Sequence, residues 1–419
     1  QEFLASILEE KPELKSEIQA LSLDPWPIAT LTCPHVLEES TLVDGYSTSI
    51  IIECREDLSD TIVEQIEGLE FEELVFLPNL KQIEIQCMDY HRSFFKVSEG
   101  NEVIIETEDV NSGETDCASW KLFRKTGIVE DENGNDKDYE FIVAYDPSGE
   151  HQGEVLYSYF KTDVKLGFPA LIHGTFDRNS LQKNSRINQQ LIPLLADFMV
   201  QCAVAISEEQ RECNYAPLKL IITSEMDYVL QNVFKLDSLL REKAREQRIL
   251  PSIGNKYISV LDDPKYSDEA FDAVLNPSVF PTMLKCVEHG DDYIETYIQN
   301  ELDIDFYDFT EFCRLINKTV DDYSIEQRVE LVYLTKREFT VRGSGLYPHL
   351  LIDSNGKNIL DNSKVYPLPN EEQVISLPQW VDIRFLNPAM EKMLFERLSI
   401  NNTRRELANA LSWFNLEEY

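Results

Sequence analysis

Asp177, Arg178, Asn179 and Lys183 stand in one short stretch, FPALIHGTFDRNSLQKNSRINQQL (Phe168 to Leu191). There an apolar run breaks on His173-Gly174-Thr175-Phe176 before a helix begins. A guanidinium, an amide and an ammonium are the side-chain groups that hold anionic oxygen. Phe168–Ile172 reads as a buried strand, Gly174 permits a tight backbone turn, and Arg178 falls just before the helix. Together with Lys161 and Lys183, Arg178 could reach an anionic group on a neighbouring domain. The plainer chemistry for the same arginine is an ion pair with Asp177 or a surface glutamate, which contributes little. On pattern alone, the plainer one is preferred.

Other chemistry finds little support. No GxxxxGKS or GxxxxGKT loop, no GxGxxG after a strand, no GxSxG and no HExxH occurs. The six histidines are isolated, so no Ser-His-Asp constellation can be argued. DENGNDKD (Asp131 to Asp138) superficially resembles a calcium loop, but Asp136 stands where the sixth-position glycine belongs and Ile142 where the twelfth-position glutamate does. It reads as a polar hairpin turn. The eight cysteines form no CxxC pair and have no histidine at zinc spacing. Buried, reduced thiols are expected, and no metal site.

The formal charge of −38 argues against a large phosphate-binding surface, and so against direct nucleic-acid binding. One local exception is Arg241, Lys243, Arg245 and Arg248, which could form a basic patch. No run of about 18 consecutive apolar residues occurs, so no membrane span is expected. No basic-then-apolar leader opens the chain. These features together predict a soluble, cytoplasmic protein.

The elements that must position these residues are legible from periodicity. QEFLASILEEKPELKSEIQALS reads as helical with a break near Pro12, LDPWPIATLTCPHV as an extended link, and GYSTSIIIEC as a strand ending at Cys54. Leu58, Ile62, Val63, Ile66 and Leu69 have the spacing of an amphipathic helix. KQIEIQ, SFFKVS, EVIIETE, SWKLFRK, YEFIVAY and GEVLYSYF then read as short strands, predicting a mainly antiparallel block. A long helix follows from about Asn188 to Ile206, and DYVLQNVFKLDSLLREKAREQRIL reads as a further helix. ILPSIGNKYISV looks like a small β element, and helical segments follow up to about Arg342. Ser354-Asn355-Gly356 signals a hairpin, QWVDIRFL an extended piece and ELANALSWF a last helix. The class is α+β, in several domains.

The segment GEVLYSYFKTDVKLGFPALIHGTFDRNSL resembles the middle region of sacsin-type proteins, a branch of the GHKL ATPases related to the ninety-kilodalton heat-shock chaperones and to MutL. The matching features are Tyr157-Ser158, Lys161-Thr162, Phe168–Phe176 and Asp177-Arg178-Asn179. PWPIATLTCPHV with GYSTSIIIEC is similar to the end of the family's ATP-binding domain, and LVFLPNLKQIEI to the passage opening its middle domain. HLLIDSNGKNILDNSKVYPLP and RELANALSWFNLEEY are similar to downstream segments of bacterial members. The chain departs from the family in two ways. It lacks the Asn-bearing helix, the Asp-x-Gly-x-Gly and the Gly-rich lid that hold ATP and magnesium. It also lacks the few residues that usually separate the aromatic from Asp-Arg-Asn.

The resemblance implies four regions: residues 1–57 as the tail of an ATP-binding domain, 58–218 as a middle or transducer domain with a mixed or antiparallel sheet, 219–345 as mainly helical, and 346–419 as a C-terminal α/β segment. It implies that Arg178, then Lys161, then Lys183, meet the γ-phosphate, with Thr162 and Asn179 assisting in cofactor binding. A cation there would stabilise charge developing on the transferred phosphoryl group. ATP and Mg2+ are expected in the full-length protein, and no cofactor on this chain alone. The partners implied are an ATP-binding domain in cis or on another subunit, a protein client, and a second copy in a homodimer. The function implied is a chaperone-like machine, or by analogy bacterial stress or antiviral defence. Two alternatives stay open: a non-catalytic scaffold or protein-binding module that lacks the ATPase half, and an acidic mimic of nucleic acid.

Overall fold

The computed structural model describes residues 71–87, 90–149, 153–176, 185–267, 270–342, 347–360, 364–367, 383–400, 403–414 and 416, with positions 61, 63, 64 and 66. Those four early positions are helical, as the spacing from Leu58 to Leu69 predicts. The expectations for residues 1–57 lie outside the described residues, as do Asp177, Arg178, Asn179 and Lys183.

Alternating apolar and polar residues build the central feature. After a one-turn helix α1 (Glu73–Phe76) come β1 (Gln82–Cys87), β2 (Tyr90–Glu99), β3 (Glu102–Asp109), β4 (Glu114–Glu130), β5 (Asp136–Tyr145), β6 (Gly153–Ser158), β7 (Phe160–Phe168) and β8 (Leu171–Gly174). They form one eight-stranded sheet in the order β1-β2-β3-β4-β5-β8-β6-β7. The pairs β1–β2, β2–β3, β3–β4, β4–β5, β5–β8 and β6–β7 are antiparallel. Only β6 and β8 run parallel, which makes the sheet mixed and the class α+β.

Period-two patterning sends side chains to two cores. In β5, Phe141 and Val143 enter the core with Leu156, Phe168 and Ile172. The intervening Ile142 and Ala144 enter a second core with Phe76, Phe94, Ile105, Trp120 and Tyr157. The first core is covered by α2 (Arg186–Glu209), whose Leu191, Leu195, Met199 and Ile206 are buried in it. Ser185 caps that helix by accepting from the Asn188 amide at 3.2 Å. Among the described residues α2 alone is long and apolar enough to cross a membrane, but 61% of that window is buried inside the fold.

The turns form as their residues dictate. Asp131 Oδ1 accepts from the amides of Asn133 and Asn135, each at 2.8 Å, which closes the β4–β5 hairpin as a polar turn. These amides, Asn135 first, hold the Asp131 carboxyl below its ordinary range. Past α2 stand α3 (Ala216–Lys219), a π-helical turn (Val229–Val233) and α4 (Leu236–Ala244). The single helix expected over this stretch is thus two pieces, because Lys235 adopts φ 55° and α4 begins after it. The small β element is the antiparallel pair β9 (Leu250–Pro251) and β10 (Tyr257–Ile258).

Next come α5 (Asp292–Thr296), a second π-helical turn (Tyr297–Glu301), α6 (Phe309–Thr319) and α7 (Ile325–Arg342). The 354–356 turn brings Ile352 opposite Asn358, with Gly356 at φ 77°. A short parallel pair, β11 (Val365–Tyr366) and β12 (Arg384–Phe385), precedes α8 (Pro388–Arg397) and α9 (Arg404–Ala410). Residues 253 to 416 contribute a third core, including Phe312, Ile316, Leu351 and Leu394. The first core runs through position 218, gathering residues from Val129 to Ile304.

Among the described cysteines, Cys202, Cys213 and Cys313 are buried, whereas Cys117 is exposed and Cys87 and Cys286 are half-buried. Burial raises the thiol of Cys313 to about 12. The expectation of buried thiols thus holds for half of those described.

Candidate functional site

Sheet pairing assembles one row of side chains at a single end of the sheet. Lys161 on β7 lies opposite Tyr157 on β6, and Tyr157 lies opposite His173 on β8. The turn that joins β6 to β7 is a single residue, Tyr159, held at φ 66°. An aromatic side chain in the left-handed region is strained, and such strain concentrates at working sites.

Glu72, just before α1, anchors the row. Tyr157 donates its hydroxyl to Glu72 Oε2 at 3.0 Å, and Lys161 Nζ stands 3.4 Å from the same oxygen. Burial, followed by the Glu72 charge and hydrogen bond, raises the Tyr157 phenol, so it stays protonated and donating. Burial lowers the Lys161 ammonium from its ordinary value. A partly desolvated ammonium beside a carboxylate has stronger electrostatics than one in water. An anion arriving here would compete with Glu72 for it.

His173 is fully buried. The Tyr159 amide donates to its Nδ1 at 3.1 Å, so in the neutral ring Nε2 carries the proton. Its ring stacks on Phe76 at 5.4 Å and packs against Tyr159 at 4.7 Å. Burial, with the nearby Arg124 charge, lowers His173 to about 4, and it is neutral near pH 7. The imidazole therefore works as a packed acceptor that holds the strained turn.

Beyond His173, Gly174 has no room for a side chain: a Cβ there would lie 2.3 Å from the Phe176 ring. Thr175 is tied to β5, accepting from the Glu140 amide at 2.9 Å and donating its own amide to the Glu140 carbonyl at 3.2 Å. Tyr159 and Thr175 line a cavity of about 530 Å3 with Asp138 and Glu140. Arg124 reaches Glu140 at 3.5 Å.

Of the residues named from sequence, Lys161 belongs to this row. Thr162 is adjacent in the chain, but its hydroxyl donates to the Leu156 carbonyl at 2.7 Å and accepts from the Val164 amide at 3.3 Å. Those bonds serve the irregular register between β6 and β7. Arg178, Asn179 and Lys183 lie outside the described residues. The last described residue before them is Phe176, two positions past the end of β8.

Glu72, Tyr159, His173 and Arg124 carry roles that sequence reasoning missed. Glu72 is 85 residues from Tyr157, and no spacing rule connects them. The break at His173-Gly174 was the one visible signal. Three of the four residues in the basic run, Arg241, Lys243 and Arg245, have partners, and Arg248 is exposed. Arg241 pairs with Asp237 and Glu301, Lys243 lies 3.4 Å from Asp197, and Arg245 donates to the Leu302 carbonyl at 2.8 Å and lies 3.7 Å from Asp303. Among the described residues no group of histidine, cysteine, aspartate and glutamate could hold a metal ion.

No protein-family model matches the chain, and neither a curated protein nor a solved structure matches it significantly.

Proposed function

We propose that the chain is the transducing middle portion of a sacsin-like GHKL ATPase, coupling ATP binding and hydrolysis to conformational change in a chaperone-like or defence machine. In this reading ATP and Mg2+ sit on an ATP-binding domain supplied in cis or by another subunit. Arg178 meets the γ-phosphate, with Lys161 and Lys183 beside it. Domain closure delivers these cations, so that hydrolysis and conformation are linked.

One observation supports the reading most. The pairing of β7 with β6, and of β6 with β8, sets Lys161 in one row with His173, four residues before Asp177. The strand carrying Lys161 thus starts at the sheet end that the chain leaves before reaching Arg178 in sequence.

The complete open reading frame provides the test. Its purified product should hydrolyse ATP, and Arg178→Ala should lower kcat by roughly 10²- to 10³-fold, the scale of losing one charge-stabilising group. This chain alone should show no turnover. Turnover by this chain alone, or a complete product that binds no ATP·Mg2+, would overturn the reading.

A second reading, a non-catalytic scaffold or protein-binding module, is favoured by the carboxylate that Lys161 already faces in Glu72. It predicts a complete product without nucleotide binding, whose partner capture survives Arg178→Ala.

A further inference from the structure

At the opposite end of β7 and β8 lies a cavity of about 600 Å3, a size typical of ligand sites. Three separate segments build it: the end of β7 with the β7–β8 connection, the end of α3 with the chain after it, and α5 with the π-helical turn that follows. Gly167, at φ 59°, allows the first two to meet, since a Cβ there would lie 2.3 Å from the Glu225 carbonyl oxygen. The π-helical turn at Tyr297–Glu301 forms part of the wall, and π turns recur at functional sites.

The threonine and serine hydroxyls of this lining are one-sided. Thr223 donates its hydroxyl to the Leu166 carbonyl at 2.7 Å, Ser224 to the Gly167 carbonyl at 3.2 Å, and Thr296 to the Asp292 carbonyl at 3.0 Å. Each hydroxyl has one proton, so what these three still offer are acceptor lone pairs. Glu301 pairs with Arg241, but a carboxylate has about four acceptor positions and one ion pair does not exhaust them. Tyr293 and Tyr297 add two electron-rich ring faces to the lining.

Lys219 is the one cationic residue of this lining, and Asp291 holds it at 2.6 Å. Burial works against its charge. The hydrogen bond to Asp291 and the negative charges of Asp291 and Glu288 outweigh that and keep the ammonium above its ordinary range. The local field therefore favours positive charge, in the same sense as the whole chain at −38.

We propose that this cavity binds an organic cation, a guanidinium or alkylammonium on a short apolar stem, with its charge beside Glu301 and the rings of Tyr293 and Tyr297. The stem lies along Ile222, and the hydroxyl oxygens of Thr223, Ser224 and Thr296 accept the remaining N–H groups. The cation is a basic protein side chain or a free small amine, and both present the same chemistry to the cavity. The site stands whether or not the chain belongs to an ATPase.

Titration of the chain, followed by calorimetry and amide NMR, tests this with three probes of one size: n-butylguanidinium, neutral n-butylurea and n-butanesulfonate. The guanidinium should bind at least ten-fold more tightly than the other two and shift the amides of Thr223, Ser224 and Thr296. Glu301→Gln, with unchanged circular dichroism, should weaken it at least three-fold, and Tyr297→Leu should do the same. Capped Gly-Arg-Gly binding more tightly than butylguanidinium would identify a protein side chain as the source, and the reverse order a free amine. Equal binding of the neutral probe, or unchanged affinity in folded Glu301→Gln, would overturn the proposal. The comparison of probes needs no variant, so a poorly folding Tyr297→Leu would not shield it.

Discussion

Strands β7 and β8 begin and end in two regions of contrasting chemistry. At one end Tyr157 pairs with a buried neutral His173 and shares the Glu72 carboxylate with Lys161, so a cation is held on a carboxylate that an anion could challenge. At the other end the hydroxyl protons are spent on backbone carbonyls, and the cavity presents acceptors and aromatic faces. Both ends use a residue at positive φ, Tyr159 in one and Gly167 in the other. Glycine adopts that backbone at no steric cost, whereas tyrosine must be held there by its neighbours. The contrast teaches that one strand pair can present two opposite polarities. What decides them is which protons the backbone has already claimed.

The comparison breaks most readily at Gly167. Gly167→Ala should cost roughly 2–5 kcal/mol in urea unfolding, combining left-handed strain with the clash on Glu225. It should also displace the segment that Thr223 and Ser224 anchor. A loss under about 1 kcal/mol would mean that the two segments are not in such close contact.

Next in size is an acid-dependent loss at the other end. His173 is held at about 4 when folded, against its ordinary 6.5. Below pH 6.5 the unfolded ring takes a proton that the folded ring refuses, so stability falls as pH drops and the fall is complete near pH 4. The difference amounts to about 3 kcal/mol. His173→Gln should flatten that part of the stability–pH curve, and an unchanged slope would show that other groups are responsible.

A smaller effect sharpens the role of Glu72. Tyr157→Phe should lower stability by about 1 kcal/mol through loss of the 3.0 Å hydrogen bond. It should leave Lys161 as the partner of Glu72, so the variant combined with Lys161→Met should lose more than the two single changes sum to. Strict additivity would mean that the two groups do not share the carboxylate.

The smallest effect belongs to the surface. Arg186 contacts Glu130 at 2.7 Å, with both side chains about half exposed. Arg186→Ala should change stability by no more than about 0.5 kcal/mol. A loss above 1 kcal/mol would assign the start of α2 a larger part in the site than its ion pair provides.

Much of the architecture could be read from the chain. The β-branched and aromatic run EVIIETE and the nearly continuous apolar run YEFIVAY predict β3 and β5, because a half-buried strand sorts its side chains by face and a doubly buried one is apolar on both. The Asp131 turn was readable because an aspartate side chain can hold the amides two and four residues on. The break at Lys235 was not, because a non-glycine residue in the left-handed region has no signature in its letter. The candidate site was legible only in part. Lys161 could be singled out as a cation, but its carboxylate partner could not, and Thr162 looked available although its hydroxyl serves the backbone.

Composition and periodicity alone determined the acidic surface, the α+β class, the strands and the long core helix, since each follows from local patterning and burial. Tertiary structure alone decided that β8 inserts between β5 and β6. It also decided that Glu72 meets Lys161 and Tyr157, and that Arg241 and Lys243 on α4 pair with acids from other segments. Pairings between distant segments depend on which surfaces meet once each strand has buried its apolar face, and no residue type or spacing records that in advance.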